Sequence, residues 1–396
     1  MIVIIDWGDG QLGKTVLILG GGTGGVVAGN VLRKTLKKKH QVIIVDRNDY
    51  HYFQASYPFL MVNQRRPAQV VRRLEAVQRK GIEFRKADVI QVYPEQHLVE
   101  TSAGMLGFDY LVISLGAEHH LESVPGQEAV AYNPYSFEGV CRLRHELWYF
   151  TGGNIVLFIS NLPYTGVIAP YEIIFLIDAF FRERGLRQQV TLTLVTPEPS
   201  LLPLAGPKVG ESLRRMLEQR QIRVLTQAKV LSLDPVKRHL MLDGGISIPG
   251  DLFIGIPSHW GPSVLCNSNL VDDSGWIEVD PHTMATRAKC VYAVGDATGI
   301  KLPITQAWGP KAGVFTHYQA EVVARNIASV IAKKSPDFRY TGKAAGVVMA
   351  TGFGSGRVAS VKYYARPYPR VALLRSTRIA YWTKIAFEKY WLNCWL

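Results

Sequence analysis

The chain has 396 residues, 47% of them hydrophobic, with a formal net charge of +13, enough apolar material for two or three cores in one large soluble chain. No apolar run reaches the roughly 18 residues of a membrane-spanning helix, since even Ile173 to Phe181 is broken by Asp178, and Met1 to Ile5 meets Asp6 without the basic start of a signal peptide. The excess charge clusters at Arg33-Lys34 with Lys37-Lys38-Lys39, at Arg65-Arg66, at Arg72-Arg73 and between Arg366 and Lys389; no nucleic-acid-binding motif accompanies it, so anionic lipid is the better expected partner.

Residues 1–14 read as an N-terminal extension, either an extra strand or a mobile leader. An apolar strand from Thr15 to Leu19 then runs into Gly20, Gly22 and Gly25, the three glycines of G-x-G-x-x-G. In a dinucleotide fold the first allows the tight turn, the second lets a pyrophosphate approach the backbone, and the third lets the next helix pack on the strand. A helix from Val26 to about Lys38 would aim its N-terminal amides at the phosphates. Asp46 ends the following strand, Gln41 to Val45, about 20 residues past the turn, where an acid accepts bonds from an adenosine ribose.

Further along, Val124-Pro125-Gly126 and Ile248-Pro249-Gly250 mark chain crossings. Between them lie the helical pattern Phe137 to Tyr149, the strand Asn154 to Ile159, and strands Val190 to Val195 and Val224 to Thr226 flanking a helix from Val209 to Arg220. Val291 to Val294 leads into Gly295-Asp296, where the aspartate also reads as a helix cap. Past Ser335-Pro336 the aromatic and basic tail Arg378 to Leu396 reads as an amphipathic helix, fit either for a membrane interface or for docking on the protein's own core.

Two segments, Phe108 to Gly116 and Thr286 to Asp296, resemble the flavoprotein disulfide reductase superfamily. The pieces Ala169-Pro170-Tyr171-Glu172, Pro310-Lys311-Ala312-Gly313-Val314-Phe315 and Phe387-Glu388-Lys389-Tyr390-Trp391 resemble its branch of sulfide:quinone oxidoreductases and flavocytochrome c sulfide dehydrogenase flavoproteins. The resemblance implies an α/β fold of two Rossmann-like three-layer domains. An FAD domain, 15–117 and 251–330, is split by an inserted module, 124–250, and followed by a C-terminal quinone- and membrane-facing region, 336–396. It implies FAD contacts at Gly20, Gly22, Thr23, Gly24, Gly25, Asp46, Arg47, Gly116, Gly295, Asp296 and Lys311, with Asp296 on the ribitol. A quinone pocket is expected at Phe315, Phe353 and Tyr390, and peripheral attachment to the cytoplasmic side of a membrane through the tail.

Two absences qualify that expectation. The inserted module's first strand runs into Leu162, Pro163 and Tyr164 with no second glycine-rich turn, so NADH is not expected. The cysteines whose thiolate chemistry the family uses on sulfide are replaced by Gly166 and Met349, and a third by Tyr135. Cys141, Cys266, Cys290 and Cys394 show no C-x-x-C spacing, so neither a metal nor a redox pair is indicated. Candidate chemistry falls to Glu172, for proton exchange, and Lys311, for charge beside the flavin; His317 and Gln319 read as helix surface. The expected function is FAD-dependent electron exchange between a donor (sulfide, another small reductant, or a partner protein of a larger respiratory complex) and membrane quinone. The alternative is an electron-transfer or non-catalytic assembly subunit that keeps FAD structurally; a homo-oligomer is left open.

Overall fold

The computed structural model describes residues 13–367 and 369–396, without the side chains of residues 345 and 347; most of the expected N-terminal extension therefore lies outside the described residues. The first five-stranded sheet runs, edge to edge, Val291–Ala293, Tyr110–Ile113, Thr15–Leu19, Gln41–Asp46 and Glu83–Lys86, all parallel. Its strands read as continuous apolar runs because both faces are covered. Val16, Ile18, Val42 and Ile44 face the helices Thr23–Thr35 and Gly313–Ile331. Leu17, Leu19, Ile43 and Val45 face Val92 and Val99 of a small antiparallel sheet. Truncating a side chain such as Leu17, with no exposed surface, removes roughly 2–5 kcal/mol.

The second parallel sheet has the order Ala131–Tyr132, Leu252–Ile256, Gly153–Ile159, Val190–Val195 and Ile222–Leu225. It too is a three-layer unit. Ile155, Leu157 and Leu192 face the helices Phe137–Tyr149 and Ala169–Glu183, while Val156, Phe158 and Phe253 face a three-stranded antiparallel sheet. This corrects the expected crossing at residue 250. Leu252–Ile256 is the inserted sheet's second strand, and the two chain passages between the units are Glu118–His120 and Ser258–Trp260, paired as an antiparallel ribbon.

The C-terminal region is a three-stranded antiparallel sheet, Lys343–Gly352, Ser355–Lys362 and Arg370–Leu373, followed by the helix Arg378–Cys394. Thr377 caps that helix, its Oγ1 accepting from Ala380 N at 3.1 Å. Tyr381, Ile385, Glu388 and Leu392, spaced three and four apart, turn inward and are buried, as is Trp391. Ile379, Trp382 and Tyr390 stay 79, 62 and 54% exposed. Docking on the core and an open aromatic face thus coexist on one helix.

Four polar contacts hold the inward face. Glu388 accepts from Arg65 Nε at 2.7 Å and from Ser56 Oγ; Lys384 pairs with Glu172; and Trp391 Nε1 donates to His51 Nε2 at 3.1 Å. The opposite nitrogen of His51, Nδ1, lies 2.9 Å from the Gly21 carbonyl, so the ring is neutral and carries its proton on Nδ1. Breaking a buried ion pair costs about 3–5 kcal/mol. Arg65→Ala is therefore expected to open residues 378–394 to protease ahead of the rest of the chain; cleavage at the parent rate would reject the latch. Burial holds the His51 imidazole below its ordinary 6.5. The unfolded chain protonates near that value and the folded chain only below it, so the stabilisation is complete above pH 6.5 and is lost as pH falls. Amide exchange in residues 378–394, corrected for intrinsic rate, is expected to rise on acidification below that point in the parent and not in His51→Gln.

Candidate functional site

One cavity of about 1410 Å³ lies between the two parallel sheets and the C-terminal region, large against the roughly 300–1,000 Å³ of most ligand pockets. Gly20, Gly22, Thr23, Gly24, Asp46, Arg47, Gly116, Glu172, Gly295, Asp296, Lys311 and Phe315 all line it. Gly25 lies behind the wall: a Cβ there would stand 1.8 Å from the Gly20 carbonyl oxygen, the close helix–strand approach its position in the motif requires. Gly20 turns the chain at φ +98°. A Cβ on Gly22 would meet no atom within 4 Å, so its open side faces the cavity. Asp46 braces this turn, Oδ2 accepting from Gly21 N at 2.6 Å and Oδ1 from Asn48 N at 2.7 Å.

At the other motif, Asp296 Oδ1 is buried with no hydrogen-bond partner among the described residues, and burial pushes the carboxyl up from its ordinary range. A buried acceptor left empty costs about 1–3 kcal/mol, and a ligand hydroxyl aimed at it would recover that. The open side of Gly22 and the orphan oxygen of Asp296 together fit a dinucleotide laid from glycine turn to Gly295, with a polyol at Asp296. Gln319, expected on a helix surface, is instead 5% exposed, its Oε1 accepting from Gly295 N at 2.8 Å. His317 also lines the cavity rather than the outer surface.

Lys311 is brought to the wall but is internally engaged. Its ammonium donates to the carbonyls of Asp296 at 2.9 Å and Thr298 at 2.6 Å and lies 3.5 Å from the Trp276 ring centroid. Burial pushes it down to about 8. Glu172, 3% exposed, accepts from Ala350 N at 2.7 Å and from Lys384. Two of the three residues expected at the quinone pocket are misplaced: Phe353 packs against the inserted unit's core, and Tyr390 is on the helix's outer face. The helix phase presents Phe387 and Trp391 to the cavity instead.

Gly166, Met349 and Tyr135, the residues expected at the three family cysteine positions, all line this cavity. Gly166 N donates to the Lys311 carbonyl at 2.6 Å, and Tyr135 Oη donates to the Gly166 carbonyl at 3.3 Å. None of the four cysteines lines the cavity; Cys141 and Cys290 are half-buried, Cys266 and Cys394 exposed. On the inserted unit, Glu198 follows the strand Val190–Val195, where a nucleotide ribose would be received. It is 4% exposed and bonded by Tyr171 Oη at 2.7 Å, Tyr164 Oη at 3.2 Å and Thr196 Oγ1 at 3.1 Å.

Gly22→Ala is therefore expected to fold as the parent does and to lose bound flavin by at least about tenfold, whereas Gly25→Ala, driven into backbone, is expected to fail in folding. Circular dichroism with the visible flavin absorbance reads both; full flavin content in Gly22→Ala would reject the cradle.

Residues 14–148 match the family model described as pyridine nucleotide-disulphide oxidoreductase. The chain is 24% identical to the mitochondrial sulfide:quinone oxidoreductase of Mus musculus, over 89% of this chain and 79% of that protein. It is 27% identical to the sulfide-quinone reductase of Aquifex aeolicus, over 96% and 91%. The crystal structure of the sulfide:quinone oxidoreductase from Aquifex aeolicus superposes with a TM-score of 0.85 at 24% identity, covering 96% of this chain and 90% of that one. A chain of the Tetrahymena thermophila mitochondrial ATP synthase structure shares the fold at a TM-score of 0.77 and 17% identity, covering 99% and 98%. By the matched segment, the relatives and the fold, this chain is similar to the FAD-dependent pyridine nucleotide-disulphide oxidoreductases and, among them, to sulfide:quinone oxidoreductases.

Proposed function

We propose that the protein is an FAD-dependent, quinone-linked oxidoreductase whose electrons come from a donor other than sulfide. The observation that carries this reading is a single cavity that runs from the glycine turn to the C-terminal helix with no thiol in its wall. FAD supplies two-electron chemistry when bound; the protein supplies the cradle at Gly22, the acceptor at Asp296 and an aromatic quinone side at Phe315, Phe387 and Trp391. Sulfide oxidation in this branch's manner needs a thiolate to take the sulfur. Gly166 has no side chain, and the Met349 thioether has no proton to lose.

Glu172 with Lys384 is the pair placed to hold a proton at the wall shared with the C-terminal helix, and Lys311, pushed down to about 8, brings a cation whose charge titrates close to neutrality. NADH is disfavoured as donor because Leu162, Pro163 and Tyr164 occupy the turn and Glu198 is already bonded by tyrosines. The exposed Ile379, Trp382 and Tyr390, with Arg378 and Lys389 on the same helix, suit a peripheral membrane contact. No helix among the described residues is long and apolar enough to cross a membrane.

A second reading rests on the shared fold and near-complete mutual coverage with a chain in an ATP synthase assembly. There the protein would be an assembly subunit holding FAD as structure. Anaerobic mixing of the flavin-loaded protein with sulfide, NADH and a reduced quinol in separate cuvettes decides. Bleaching of the flavin band by quinol alone is expected. Bleaching by sulfide would overturn the donor assignment, and none by any reductant, with migration in a large complex on native gels, would favour the assembly role.

A further inference from the structure

The C-terminal sheet lines the same cavity through residues other than those placed at the flavin or the quinone. Arg357, Ala359 and Val361 alternate onto one side of their strand, and Leu373 pairs with Ala359 and Val371 with Val361. Met349 pairs with Arg357 on the other flank. All six line the cavity, facing the inserted unit's Leu202 to Leu213 segment. This groove is apolar except for Arg357.

Arg357 has no carboxylate partner among the described residues. One terminal nitrogen donates to Ser212 Oγ at 3.2 Å, and Nε is buried without a partner. The two acids on the cavity wall on this side are taken: Glu172 by Lys384, and Glu198 by Tyr164 and Tyr171. A guanidinium on an apolar wall with no counter-charge is costly unless an anion or water reaches it. Its planar fork matches a carboxylate better than a lone lysine would.

From this juxtaposition we infer that the groove is a binding site for an amphipathic carboxylate, its acid group on Arg357 and its hydrocarbon chain along Ala359, Val361, Val371 and Leu373. Arg357 specifies an anionic headgroup and the walls specify an apolar chain; a neutral quinone satisfies only the second. The site stands whichever donor reduces the flavin.

Isothermal titration of the flavin-loaded protein with decanoate, decanol and acetate, below micelle formation, tests it. Decanoate is expected to bind with one-to-one stoichiometry and more tightly than either comparator. Arg357→Met is expected to weaken decanoate about tenfold or more and leave decanol unchanged, while Ala359→Phe, filling the groove, weakens both. Decanoate binding no tighter than decanol, or unchanged in Arg357→Met, would overturn the site. Acetate binding as tightly as decanoate would also overturn it, by removing the groove's part. Quinol bleaching of the same samples is read separately, so loss of the quinone reading and loss of this site give different results.

Discussion

Everything distinctive about this molecule depends on how one helix is held. Arg378–Cys394 closes the cavity on one side and leaves aromatic side chains uncovered on the other, so it cannot be fixed by apolar packing alone without being buried all round. Its inward face solves this with charge: Glu388 against Arg65, and Lys384 against Glu172, each partner coming from a different unit of the fold. Such pairs contribute little net stability over apolar packing but are expensive to break. They therefore fix rotation and register about the helix axis, which packing of Ile385 and Leu392 would leave looser.

Glu172 and Lys311, the two residues expected to carry chemistry, are likewise engaged by the protein itself. A carboxylate at the start of the Ala169–Glu183 helix is favoured there by the helix dipole, and the cation that reaches it comes from a helix 212 positions later. Lys311 is likewise held, by two carbonyls and an indole. Both residues keep their places on the cavity wall while their charges are committed inside the protein.

Much of the fold was legible in the sequence because parallel strands covered on both faces write themselves as unbroken apolar runs, and because Gly20, Gly22 and Gly25 occur in the order strand, turn and helix require. The boundary at residue 250 was not. Leu252-Phe253-Ile254-Gly255-Ile256 is an apolar run that reads the same in either sheet, and only its pairing with Gly153–Ile159 assigns it. The glycine-turn side of the cavity wall was legible in the motifs, whereas Phe353 and Tyr390 lie off the wall because helix phase and strand facing decide exposure, and an aromatic letter carries neither. Gln319, His51 and Arg357 had no local signal, since each acts on a group far away in the chain: the Gly295 amide, Gly21 with Trp391, and an apolar sheet face.

The ribbon formed by Glu118–His120 and Ser258–Trp260 has a mechanical consequence. The two passages between the parallel-sheet units lie side by side and are hydrogen-bonded as an antiparallel pair, so sliding one unit past the other would shear that ladder, while twisting about its long axis would not. His119 and His259, opposite each other in the ribbon with ring centroids 4.8 Å apart, also stand on the cavity wall. A turn about the ribbon would therefore carry two residues of the cavity wall with it, whereas sliding is resisted by the ladder.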